Sequence, residues 1–284
     1  MINVLFYGNC QAYAVLKTLS LPSEYIIHNV QCWTGTVDKI KFTNTIKKCD
    51  IIITQPIKNN YRNVDYLSTD YIIKNASPKC KIIIFDSCYF DFYYPDLTSK
   101  QMHGKLFEKP SVYQYNKMIE SFKNNYTVDE YIAKYANNVN FKSKDELENI
   151  ANKSLLDLKE RYNSNIKNYK KPNTHIISTH DYIKNNYKNK LLFYSMNHPT
   201  KYVIQHICEE ITKFLKIKNT INYSVDELAV TKCILYKCIQ KNVHFDINNH
   251  IPLVSNRTNV KEITQVYYNA FKSIALSHHN SVLH

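Results

Sequence analysis

Two rhythms of apolar residues alternate along the first third of the chain. Asn3–Tyr7, Tyr25–Val30, Asp50–Gln55 and Lys81–Phe85 are short and almost uniformly apolar, which predicts four strands. Between them the apolar residues fall at helical spacing. Ala12, Val15, Leu16 and Leu19 mark a helix over Gln11–Leu19, and further helices are predicted over Val37–Lys48 and Val64–Asn75. Strands apolar on both faces and separated by helices predict a parallel sheet covered on both sides, an α/β fold.

The middle of the chain changes character. Ser111–Asn124, Val128–Asn137 and Lys144–Asn163 read as helices and suggest a helical insertion over about residues 110–170. Leu191–Ser195 reads as a strand again, and Tyr202–Leu215 as an amphipathic helix. A mixed segment follows over Val225–Gln240, then a helix near Val260–Ala275. The pattern contains no internal repeat and no low-complexity tract. A single α/β domain over residues 1–284 is the expectation.

Composition narrows the class. Hydrophobic residues make up 44% of the chain, enough for a sizeable core. No apolar run approaches the roughly 20 residues of a membrane-spanning helix, so no membrane partner is expected. The start, Met1-Ile2-Asn3-Val4-Leu5, reads as a strand and not as a secretory signal. The eight cysteines form no C-x-x-C pair, which argues against a zinc site and for reduced thiols in a cytoplasmic protein. The net charge of +13 implies an anionic partner. It is spread along the chain without a basic block, so nucleic acid is not favoured.

The sharpest local signal is Gly8-Asn9-Cys10-Gln11, where the first strand gives way to a helix. Ligands of parallel α/β sheets collect at the carboxyl ends of the strands. A thiol at a helix N-terminus is favoured as thiolate, so Cys10 is expected to be partly ionised near neutral pH. Gly8 permits a tight turn and close approach of a substrate, and Asn9 offers an amide donor beside the sulfur. A capped helix with a buried cysteine is the alternative. His198, in Asn197-His198-Pro199-Thr200 after the later strand, could meet Cys10 in the fold as base to nucleophile, or be structural. Gln55 ends the third strand, and Tyr61-Arg62 follow, the arginine suited to gripping a phosphate or simply solvated. Tyr89–Asp96 is dense in aromatic residues and could wall a sugar ring or pack into the core.

These four segments, in this order, resemble the WcbI-type family of polysaccharide-biosynthesis acetyltransferases. The matching stretches are Phe6–Ala12, Thr54–Pro56 through Tyr61-Arg62, Tyr89-Phe90 with Tyr94-Pro95-Asp96, and Asn197-His198-Pro199. The resemblance implies a three-layer sandwich with a mostly parallel central sheet, SGNH- or flavodoxin-like, carrying the helical insertion. It implies Cys10 at the nucleophile position, His198 at the base position, and Gly8, Asn9 and Gln55 lining the reacting centre. Gln11, Tyr61, Arg62, Tyr94, Asp96 and Asn197 lie in the same stretches and are expected to bind cofactor or substrate. The SGNH pattern places Asp three residues before the histidine, where this chain has Ser195. The implied activity is acetyl-CoA-dependent acetylation of an amino or hydroxyl group on a sugar or nucleotide sugar, with a homo-oligomer as an allowed assembly. Two alternatives stay open: an esterase or deacetylase using water as acceptor, and a non-catalytic binder of anionic glycan or nucleic acid.

Overall fold

A computed structural model describes residues 1–33, 37–98, 113–218, 220–230, 233–245 and 260–281, the last eight of these by backbone alone. Its elements run β1 (Ile2–Gly8), α1 (Cys10–Thr18), β2 (Tyr25–Gln31), α2 (Lys39–Lys48), β3 (Ile51–Thr54), α3 (Thr69–Asn75) and β4 (Lys81–Phe85). They continue as β5 (Leu97–Thr98), β6 (Gln114–Tyr115), α4 (Asn116–Lys123), α5 (Val128–Tyr131), α6 (Lys144–Tyr169), β7 (Thr174–Ile177) and α7 (His180–Asn186). The last are β8 (Phe193–Ser195), α8 (Lys201–Leu215), α9 (Lys237–Gln240) and α10 (Val260–Ser281). No helix among the described residues is long and apolar enough to cross a membrane.

Five strands form one sheet in the order β2-β1-β3-β4-β7, every neighbouring pair parallel. Successive side chains of a strand point to opposite faces. On one face Leu5, Tyr7, Ile52, Ile82 and Ile84 pack with Phe42 and Ile46 of α2 and Ile72 of α3. Val4, Phe6, Ile53, Ile83 and Phe85 are equally buried and point the other way. On that side α1 packs on α8, burying Ala12 and Val15 with Val203, Ile207 and Ile211. Full burial of one such aliphatic side chain contributes about 1.5–3 kcal/mol, so the sheet is the main source of stability in this part of the chain. The strand order reverses between β1 and β3. In such sheets this switch point, at the carboxyl ends of the strands, is where ligands bind.

The fifth strand is not the one the pattern suggested. Thr174–Ile177 pairs with β4, whereas Phe193–Ser195 lies outside the five-stranded sheet. Half of β7 is Thr174 and His175, and all but Ile177 are only partly buried, as suits a sheet edge. An edge strand of this kind carries no apolar run for the eye to find. Helix ends also moved. Ser68 caps α3 by accepting from the Tyr71 N–H at 3.2 Å, which starts that helix at Thr69 and not at Val64. A Thr127–Glu130 capping box starts α5 as expected, but the run to Ala136 continues as a π turn. The predicted helix over Ser111–Asn124 begins only at Asn116, after β6, and its first two residues lie outside those described.

The chain divides into two compact units. One comprises Met1–Tyr89, Leu155–Asn186 and Asn197–Ala229, and includes the five-stranded sheet. The other comprises Phe90–Ser154, Tyr187–Met196 and Val230–His284. The described residues of the second unit pack tyrosine and phenylalanine against helices. Phe122 of α4 meets Tyr268 and Phe271 of α10 edge-on, and Tyr115 stacks on Tyr236.

Candidate active site

Cys10 is the first residue of α1. Asn9 is the N-cap and its Oδ1 accepts from the Gln11 N–H at 2.8 Å. The Cys10 Sγ stands 3.5 Å from His198 Nε2, across 188 residues of sequence, and both side chains are partly buried. This is hydrogen-bond distance for sulfur, so a proton can pass between the two groups or be shared with a third.

The electrostatics differ from the sequence expectation. Burial pushes the Cys10 thiol above its ordinary value, and the backbone N–H groups of Cys10 and Gln11 offset this only in part. Burial likewise holds the His198 imidazole below its ordinary value. Desolvation outweighs the helix terminus at this partly buried sulfur. Both shifts favour a neutral thiol beside a neutral imidazole over a thiolate facing an imidazolium. A neutral imidazole is the form a general base requires.

Gln11 and Gln55 build the frame around this pair. Gln11 is fully buried. Its Oε1 accepts from the Cys88 N–H at 2.9 Å, and its Nε2 donates to Cys88 O at 3.0 Å and to Asn197 O at 2.8 Å. One side chain therefore ties the start of α1 to the loop after β4 and to the residue before His198. Gln55 Oε1 accepts from the Asn9 N–H at 2.9 Å, while its Nε2 donates to Ser87 Oγ at 3.0 Å. Gly8 is needed for this approach. A Cβ there would stand 2.5 Å from Gln55 Oε1 and 2.8 Å from the Ala12 Cβ.

The loops after β2 and β3 close one flank. The Cys32 N–H donates to Gly8 O at 2.9 Å, and the Arg62 guanidinium donates to Trp33 O at 3.1 Å. Burial pushes the Tyr61 phenol and the Cys32 thiol above their ordinary values, and each acts on the other. Asn60, Arg62 and Asn63 all adopt the left-handed backbone region, which costs a non-glycine residue free energy and is found most often where function fixes the geometry. On the β4 side, Asp86 is buried. Burial pushes its carboxyl up to about 7, with Arg161 and a hydrogen bond from Asn165 pulling the other way. Its Oδ2 has no partner. Arg161 donates to Ser87 O at 3.0 Å and lies 5.1 Å from the Tyr89 ring centre.

Gly8, Asn9, Cys10, Gln11, Gln55, Asn197 and His198 thus meet around one turn, with Tyr61 and Arg62 tied to the neighbouring Cys32-Trp33. Gln11 and Gln55 serve as braces. Tyr94 and Asp96 are engaged within the second unit. The Tyr94 hydroxyl donates to Phe193 O at 3.0 Å, and Asp96 accepts from the Lys117 N–H and from the Tyr236 hydroxyl at 2.9 Å. Both are buried, and these bonds account for their polarity without a ligand. Sequence reading passed over Cys32, Trp33, Asp86, Ser87 and Arg161. Arginine scarcity was the available signal: of 37 Lys and Arg residues only Arg62, Arg161 and Arg257 are arginine.

Comparison with known proteins gives the family and supports the fold. The family model for the polysaccharide biosynthesis enzyme WcbI matches residues 3–220. None of the curated proteins matches. A solved structure of WcbI, described as a novel polysaccharide biosynthesis enzyme, superposes with a TM-score of 0.75 at 20% identity. The match covers 97% of this chain and 95% of that one. That structure is described as the native protein without a disulfide bond between coenzyme A and one of its cysteines. At this identity the likeness concerns the fold.

Proposed function

The chain belongs to the WcbI family of polysaccharide biosynthesis enzymes, and from that premise we propose that it transfers an acetyl group from acetyl-CoA to a sugar or nucleotide sugar. The observation that carries this reading is the Cys10–His198 pair, 3.5 Å apart at the carboxyl edge of a parallel sheet. The solved WcbI structure is described with reference to coenzyme A and a cysteine of that protein, the disulfide between them being absent there. The residues here suit such a donor. Arg62 offers a guanidinium for phosphate oxygens.

Acetyl-CoA supplies an acyl carbon already activated as a thioester. His198 Nε2 then takes the proton of the acceptor hydroxyl or amine as that atom attacks the acyl carbon, and returns it to the departing thiolate. Cys10 shares that nitrogen while no acceptor is bound, and the acceptor hydroxyl or amine would take its place at Nε2 before the proton moves. Burial raises the thiol and lowers the imidazole, which supports direct transfer over a covalent acetyl-enzyme. Incubation with acetyl-CoA and no acceptor is accordingly expected to leave no acetyl mass on the Cys10 peptide, and Cys10→Ala to retain measurable turnover. An acetyl-Cys10 species that forms and decays as fast as turnover would establish the covalent route instead.

Calorimetry is expected to show coenzyme A binding at micromolar Kd or tighter, about −8 kcal/mol. Arg62→Ala should weaken it about tenfold, near 1.4 kcal/mol, without lowering thermal stability. No heat at millimolar coenzyme A would remove the transferase reading, and an unchanged Kd in the variant would remove Arg62 from the donor site.

A further inference from the structure

Arg161 and Tyr89 are assigned no role by the reaction described so far. Both sit at the carboxyl edge of β4, on the flank of the Cys10 turn away from β2. Ser87 connects them to it. Its carbonyl accepts from Arg161 at 3.0 Å, and its hydroxyl accepts from Gln55, which holds the Asn9 N–H. Three hydrogen bonds, through Ser87 and Gln55, therefore join the Arg161 guanidinium to the residue preceding Cys10.

Three features set this arginine apart from a structural one. The chain uses lysine almost everywhere, so a retained arginine points to a need for the planar fork. The guanidinium is half-buried and placed by two restraints, the Ser87 carbonyl and the Tyr89 ring, yet this is its one hydrogen bond among the described residues. Four of its five N–H donors stay available. Finally, its charge pulls on the buried Asp86 carboxyl, but its N–H donors are not spent there. No ion pair closes between Arg161 and Asp86, whose Oδ1 is taken by Asn165. Tyr89 is also only half-buried, with no hydrogen bond to its hydroxyl among the described residues. It lies near enough to Tyr61 to add a small upward push to that phenol, after burial and Cys32, which sets Tyr89 on the side of the β3 loop and the Cys10 turn.

We propose that Arg161 and Tyr89 form the acceptor subsite, and that the acceptor is an anionic sugar, carrying a phosphate or carboxylate for the guanidinium and a ring face for the tyrosine. A bidentate guanidinium–oxyanion contact fixes orientation as well as affinity. It would hold the acceptor beside His198 while the donor occupies the Arg62 flank. This assignment rests on the transferase reading for its role, and the subsite itself is testable apart from it.

Glucose 1-phosphate, glucuronate and glucose, titrated by calorimetry into the full chain with and without saturating coenzyme A, provide the test. The two charged sugars are expected to bind at least tenfold more tightly than glucose. Arg161→Gln should abolish that preference, Arg161→Lys should keep part of it, and coenzyme A affinity should stay within twofold in both. Equal binding of glucose in the parent overturns the proposal, as does a charge preference that survives Arg161→Gln. So does a parallel loss of coenzyme A affinity, which would assign the arginine to the donor. If Arg161→Gln does not fold, the preference in the parent and its competition by inorganic phosphate still decide. A parent that prefers charged sugars but ignores coenzyme A would overturn the donor reading and leave this subsite standing.

Discussion

Replacing His198 with alanine is expected to lower kcat about a hundredfold or more while KM stays within a few-fold. General-base catalysis by a placed imidazole contributes about 10²–10⁴ in rate, and removing a group that acts only in the transition state leaves ground-state binding intact. The pH profile separates this from mere structural damage. Burial sets the imidazole below its ordinary value, so the parent should hold kcat through neutral pH and lose it below pH 6.5 as Nε2 takes up a proton. In His198→Ala that acid limb should vanish along with the rate. The same shift has a consequence for stability. The folded value lies below the unfolded one, so the unfolded chain binds more protons and stability falls as the pH drops past 6.5. Steady-state kinetics from pH 5 to 8 would check both, and a variant within a few-fold of the parent would make the histidine structural.

Gln11→Leu should have the largest effect on stability. The change keeps the approximate volume but leaves the Cys88 N–H, the Cys88 carbonyl and the Asn197 carbonyl without the partner they have now. Each buried polar group left unpaired costs about 1–3 kcal/mol, which sums to about 3–5 kcal/mol after local relaxation. That is a large part of the total for a protein whose stability is ordinarily about 5–15 kcal/mol. Urea unfolding should show a lower midpoint at an unchanged slope. Turnover should fall at least tenfold in the surviving folded protein, because Asn197 no longer anchors His198. A loss below about 1 kcal/mol would show that water replaces the amide and that the brace is dispensable.

Much of the site was readable because the fold class dictates where sites lie. The run Val4–Tyr7, then Gly8 and a helical period, placed Cys10 at a strand end, and the structure puts it there. The same logic paired it with His198. What escaped was whatever depends on side chains meeting across the chain. Gln11 reads as one more polar residue at a helix start, and nothing local reveals that it is wholly buried and joined to residues 77 and 186 positions away. The charge state of Cys10 escaped for the same reason: the helix terminus is visible in sequence, while the burial that outweighs it is not. Thr174–Ile177 was missed because an edge strand need not be apolar. Tyr94 and Asp96 stand in a motif-like aromatic run, yet their hydrogen bonds are internal to the second unit.

The long reach of Gln11 sets a timetable for the nascent chain. Strands β1 to β4 and both partner groups of Cys88 are complete once residue 88 has emerged, and Asn197 follows 109 residues later. At about 5–20 residues per second, this leaves a delay of roughly 5–20 s during synthesis. Through that interval the thiol of Cys10 has neither its imidazole nor the amide clamp that seats the imidazole. The catalytic pair is therefore a late product of folding, joined by contacts of very high sequence separation whose loop closure is slow. A ribosome-bound chain halted before residue 197 should leave Cys10 more open to alkylation than the released protein does.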